Sequence, residues 1–81
     1  INPTRKIHVL IIPKEHYASF DVTPPKVMSE MTEFIQKVSN VLDVKQSGYR
    51  LITNIGDDGG QEVHHLHFHL IGGEPVGRLV R

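Results

Sequence analysis

Six consecutive residues constrain this chain more than any other feature: His65-Leu66-His67-Phe68-His69-Leu70. Imidazoles alternate with large apolar side chains, and a period of two is the pattern of a half-buried β-strand. Successive side chains on a strand point to opposite faces. The spacing therefore places His65, His67 and His69 on one face and Leu66, Phe68 and Leu70 on the other. The apolar face can enter a core. A row of three imidazoles has no packing purpose, and a purification tag would be contiguous rather than interleaved with apolar residues.

The rest of the sequence reads as a frame for that strand. Ile1 to Arg5 is an entry loop. Ile7 to Ile12 is a β-branched run stopped by Pro13, and its continuous apolarity predicts a strand buried on both faces at the centre of a sheet. His8 stands at its start, and His16 falls in the turn that follows, where a surface role is the simpler reading. Thr23 can cap a helix that has Pro24 in its first position. From Pro24 to Leu42, apolar residues recur at three- and four-residue spacing, which predicts an amphipathic helix with Met28, Met31 and Phe34 in its core stripe. Tyr49 to Asn54 is a second strand and Ile55 to Gly60 a glycine-rich loop, so the last two strands should be antiparallel. Gly72-Gly73 ends the histidine strand, and Glu74 to Arg81 forms a tail without pattern. The class is α+β, an antiparallel sheet with one long helix packed on it.

Composition removes several classes of function. With 81 residues the chain makes one small domain, 1–81, and its 9 basic and 9 acidic residues leave no net field to attract nucleic acid or a membrane. No apolar run is long enough to span a bilayer, and these 81 residues contain no signal-peptide pattern. Cysteine is absent, which removes disulfides and thiolate metal sites and favours a reducing, cytoplasmic setting. The chain begins with Ile, which suggests that it is N-terminally truncated.

Two chemistries suit imidazoles at this spacing. The first is metal binding. Cβ atoms four residues apart on a strand are about 13 Å apart, too far for one zinc ion held about 2 Å from each ring nitrogen. Two neighbours with His8 remain feasible. The second is nucleophilic catalysis on phosphorus. A neutral imidazole has a free lone pair at pH 7, and crowded imidazoles keep one another neutral. His67, flanked on both sides, is the natural nucleophile, with His65 and His69 as helpers. Backbone N–H groups near Gly59 and Gly60 could steady phosphoryl oxygens.

The stretches Gly48-Tyr49-Arg50-Leu51-Ile52-Thr53-Asn54, Gly59-Gly60-Gln61 and His65-Leu66-His67-Phe68-His69-Leu70-Ile71-Gly72-Gly73 resemble the histidine-triad (HIT) family. The segment Thr4 to His16 is similar to it as well, and the match is best with the Hint branch of nucleoside phosphoramidases. The resemblance implies a HIT-like antiparallel sheet lacking the family's N-terminal helix and hairpin. It implies a purine nucleotide substrate, an AMP conjugate such as AMP-lysine or AMP-NH2, attacked at the α-phosphorus, with neither metal nor other cofactor. By the same resemblance His67 forms a nucleotidyl-histidine intermediate. His65 supports the site, His69 contacts the phosphate and leaving group, and His8 joins the network. Asn54, Gly60, Gln61 and Glu62 fall at nucleotide- or phosphate-binding positions, with Glu62 where the Hint branch has serine. A carboxylate there would repel the substrate anion unless it is protonated or turned outward; alternatively it could meet a cationic amine leaving group. His64 falls where relatives often have an aromatic residue and is expected to pack. The resemblance also implies a homodimer through the helix and the strand carrying Gly48-Tyr49-Arg50. Dinucleoside polyphosphate hydrolysis, nucleotidyl transfer and non-catalytic nucleotide binding are the alternatives.

Overall fold

A computed structural model describes residues 6–77. The entry loop expected at Ile1–Arg5 and the last residues of the tail, 78–81, lie outside the described residues. Strand β1 (Ile7–Ile11) leads through a 3-10 turn (Phe20–Val22) to helix α1 (Pro25–Val41), followed by β2 (Tyr49–Ile52) and β3 (Phe68–Gly72). The sheet has the order β1-β3-β2, and β3 is antiparallel to both neighbours. No helix among the described residues is long and apolar enough to cross a membrane.

The histidine-bearing strand is therefore the central one. β1, expected at the centre, pairs only with β3 among the described residues. Its burial alternates, with Leu10 55% exposed and Ile11 buried. An unbroken apolar run reports hydrophobicity on both faces but says nothing about how many neighbours a strand has. Central placement of β3 was hidden by its own alternation, because imidazoles on one face read as solvated.

The apolar face of β3 carries the core. Leu66, Phe68 and Leu70 are buried in one cluster with Ile11, Met31, Ile35 and Val44. Val27, Met28, Val38 and Leu42 pack against the cluster from α1. Phe34, expected in this stripe, is instead 54% exposed, and Val41 is 81% exposed. The two are seven residues apart and share one flank of the helix. The sheet covers the flank centred on Met31 and Ile35 and leaves the other bare.

The start of the helix also differs from expectation. Pro24 is the capping residue and Pro25 occupies the first helical position. Pro24 offers its carbonyl to the N–H groups of Val27 and Met28 at 3.0 and 3.3 Å. The Thr23 hydroxyl does not cap α1. It donates to Ser19 O at 2.8 Å and closes the 3-10 turn. With two prolines in succession, the helix begins one residue later than a threonine cap would set it.

Gly72 shows how tightly the central strand is enclosed. A Cβ there would stand 3.2 Å from Tyr49 Cβ and 3.3 Å from Val44 Cγ1. A side chain at this position would press both the neighbouring strand and the segment after α1.

Candidate active site

Strand β3 begins at Phe68, so only His69 of the three alternating histidines lies within the strand; His65 and His67 precede it. The alternation of burial nevertheless continues backwards. Leu66, Phe68 and Leu70 are buried, and the three histidines between and before them are half-buried.

Ring contacts run through three imidazoles. The His67 and His69 rings are 5.1 Å apart with planes at 72°, and the His69 and His8 rings are 5.1 Å apart at 49°. β1 brings His8 to this face. In the sheet register His8 opposes Ile71 and Leu10 opposes His69, so His8 and His69 are diagonal neighbours on one face. Their ring nitrogens, His8 Nε2 and His69 Nδ1, are 2.9 Å apart.

His65 departs from the expected row. The chain bends at residues 63–65, and the His65 ring packs edge-on against His16, with centroids 4.6 Å apart. The cause is a change of partner. Leu66 N–H donates to Tyr17 O at 2.6 Å, so this stretch is held by the segment after β1 rather than by the sheet ladder. His65 still reaches His67, through its backbone. The His67 Nδ1 lies 2.8 Å from His65 O. A carbonyl oxygen can only accept, so His67 carries its proton on Nδ1. In the neutral ring Nε2 then holds the lone pair. Thr53 secures the same residue from the other side, its hydroxyl donating to His67 O at 2.8 Å.

His69 is held below the usual histidine pKa of 6.5, chiefly by burial and further by His67 and His8. Its folded value lies below the unfolded one, so the unfolded chain binds more protons between the two. The stability it contributes is complete above about pH 6.5 and is lost as pH falls through that window. A proton NMR titration should place the His69 midpoint below 6.5. His67→Asn should raise it only part of the way back, because burial remains. A midpoint at or above 6.5 would contradict this description.

The loop residues expected to hold phosphate have other partners. Gly60 N–H donates to Asp57 O at 3.0 Å, and Gln61 N–H donates to Gly56 O at 2.9 Å. The Gln61 side chain is buried. It accepts from Gly56 N–H at 2.9 Å and donates to Ala18 O and Val63 O at 2.6 and 3.0 Å. It acts as a staple within the fold, and both amide hydrogens are in use. Glu62 is exposed, and Asn54 is half-buried just beyond β2. His64, expected to pack, is exposed. The bend turns its side chain outward while its carbonyl accepts from His16 Nε2 at 3.0 Å.

Sequence reasoning set His16 aside and passed over Thr53. Thr53 falls inside the strand expected over Tyr49 to Asn54, whereas β2 ends at Ile52 and frees its hydroxyl for the His67 carbonyl. Nothing local marked His16. Among the described residues no group of three or more His, Asp or Glu side chains is arranged to hold a metal ion. A surface cavity of 660 Å³ lined by Ser47, Gly48, Tyr49, Arg50 and Gly73 to Val76 contains none of the histidines. The candidate site is therefore assigned on the chemistry of the imidazole cluster.

The arrangement coincides with a known pattern, and the HIT domain family model matches residues 1–76. The chain belongs to the HIT family. A HIT-like protein of Helicobacter pylori is 47% identical over 74 residues, covering 91% of this chain and 71% of that protein. A purine nucleoside phosphoramidase of Escherichia coli is 36% identical over 83 residues, covering 99% of this chain and 70% of the enzyme. Among solved structures, a HIT family hydrolase from Clostridium thermocellum superposes with a TM-score of 0.83 at 42% identity, covering 100% of this chain and 73% of that one. The three-stranded antiparallel sheet with its single long helix is the HIT fold over this span.

Proposed function

We propose that this HIT domain hydrolyses purine nucleoside phosphoramidates, AMP conjugates of amines, through a nucleotidyl-histidine intermediate. The observation that carries the reading is the hydrogen bond from His67 Nδ1–H to His65 O, which leaves Nε2 of His67 as the nucleophilic atom. Nε2 attacks the α-phosphorus, the P–N bond to the leaving amine breaks, and the amine takes a proton. In its imidazolium form His69, linked through Nδ1 to His8 Nε2, supplies that proton and becomes the neutral ring. Water then attacks phosphorus, its proton returns to His69, and the P–N bond to His67 breaks to release AMP.

The Escherichia coli relative's name supports the choice of substrate, and a solved neighbour from Candida albicans is described as a histidine triad nucleotide-binding protein. Exposed Glu62 would favour a cationic leaving group such as a lysine amine. A homodimer through α1 and β2 belongs to the same reading. It would cover Val41 and Leu51, which are exposed.

The test supplies an adenosine phosphoramidate and a dinucleoside polyphosphate together. Faster AMP release from the phosphoramidate is expected. Preference for the polyphosphate would move the assignment to the alternative hydrolase reading, and binding without turnover of either would leave a nucleotide-binding module.

A further inference from the structure

His16 stands outside the imidazole cluster, yet it touches the segment that sets the state of His67. Three hydrogen bonds tie residues 61–66 to the stretch following β1. His16 Nε2–H donates to His64 O at 3.0 Å, Leu66 N–H donates to Tyr17 O at 2.6 Å, and Gln61 donates to Ala18 O at 2.6 Å. The first two act on successive peptide units. A peptide unit is planar, so its C=O and N–H point in fixed opposite directions. The unit joining His65 to Leu66 offers its N–H to Tyr17 and, from the opposite side, its carbonyl to His67 Nδ1–H at 2.8 Å. The unit before it, joining His64 to His65, is held by His16 through the His64 carbonyl.

The side chain of His65 adds little polar anchorage. Its Nε2 is buried with no hydrogen-bond partner among the described residues. Its ring rests edge-on against the His16 ring, centroids 4.6 Å apart and planes at 67°. His16 thus restrains His65 twice, by hydrogen bonding to the preceding peptide and by packing on the ring.

We propose that His16 is a positioning residue for His67: by holding the His64–His65 peptide it keeps the His65 carbonyl on His67 Nδ1–H, and so keeps Nε2 of His67 unprotonated and aimed. The assignment rests on the reading of His67 as the nucleophile, and the tautomer measurement below does not depend on that reading. His16→Phe keeps a ring and loses the donor. His16→Gln loses the ring and keeps an N–H that can reach the His64 carbonyl.

Side-chain nitrogen NMR of the folded protein reads the His67 tautomer directly. Steady-state kinetics on an adenosine phosphoramidate read kcat and KM separately. The wild type is expected to hold His67 as a single Nδ1–H tautomer. His16→Phe should give a mixture of tautomers and lower kcat about tenfold to a hundredfold, the scale of an ångström-sized misplacement of a reacting group. KM should change by less than about threefold, because His16 is placed against the supporting peptide rather than the nucleotide. His16→Gln should restore the single tautomer and most of kcat. An unchanged tautomer and kcat in His16→Phe, or a Gln variant as impaired as the Phe variant, would overturn the proposal. If His16→Phe does not fold, by circular dichroism, the Gln variant decides: retention of the Nδ1–H tautomer supports the role of the donor, and its loss contradicts it. If the wild type releases no AMP while His16→Phe still shifts the tautomer, the positioning role stands and the hydrolase reading falls.

Discussion

Replacing His67 with alanine is expected to cut AMP release from an adenosine phosphoramidate by about four orders of magnitude or more, the scale seen when a covalent nucleophile is removed. The loss should appear in kcat, with nucleotide binding largely kept, because the imidazole forms its bond only as the reaction proceeds. The fold should survive. His67 is half-buried on the polar face, and its neighbours Leu66 and Phe68 supply the packing on the other. The hydrogen bond from Thr53 is made to the His67 backbone, so it is available to alanine. A loss below about tenfold would mean that another group attacks phosphorus, because shape and binding alone cannot retain most of a covalent pathway.

Leu70→Ala should have the largest effect on stability. Leu70 is 0% exposed, at the middle of the central strand, opposite Val9 on one side and Leu51 on the other. Core leucine truncations cost about 3–5 kcal/mol, the transfer free energy of the lost atoms plus the cavity they leave. A domain of this size has roughly 4–12 kcal/mol in total. Thermal unfolding should therefore shift down by about 15 °C or more. A shift under about 5 °C would show that the helix and sheet close over the vacancy, or that the centre of packing lies elsewhere.

The parts of the fold that were legible in sequence are those written in local periodicity. Leu66, Phe68 and Leu70 enter the core as their alternation implies, and Met31 and Ile35 meet them from α1. Gly72 ends the apolar alternation where a side chain would collide with Tyr49 and Val44. The antiparallel pairing of β2 with β3 follows from the glycine-rich loop between them. Periodicity gave a helix stripe but not its centre. Phe34 and Met31 fit one stripe equally well, and only contact with the sheet separates them.

The site was legible to the same depth. His8, His67 and His69 come together as the motif implies. His65 does not stand in the row, because the Leu66 N–H finds Tyr17 O and the chain bends before β3 begins. Gln61 and Gly60 look like phosphate ligands in sequence, yet their donors are spent within the fold. The backbone bonds of Gly60 and Gln61 are local to the loop, but the contact of the Gln61 side chain with Ala18 spans 43 residues and is settled only by the tertiary fold. The same reason hides His16, which is 48 positions from the peptide it holds.

The direct test is to mix the protein with an adenosine phosphoramidate, quench within the first turnover, and map the modified peptide by mass spectrometry. One adenylyl group bound to a ring nitrogen of His67, forming and decaying at rates that match AMP release, is the expected result. Turnover with no protein-bound nucleotide at any quench time, or with the adduct on His65 or His69, would contradict attack by His67.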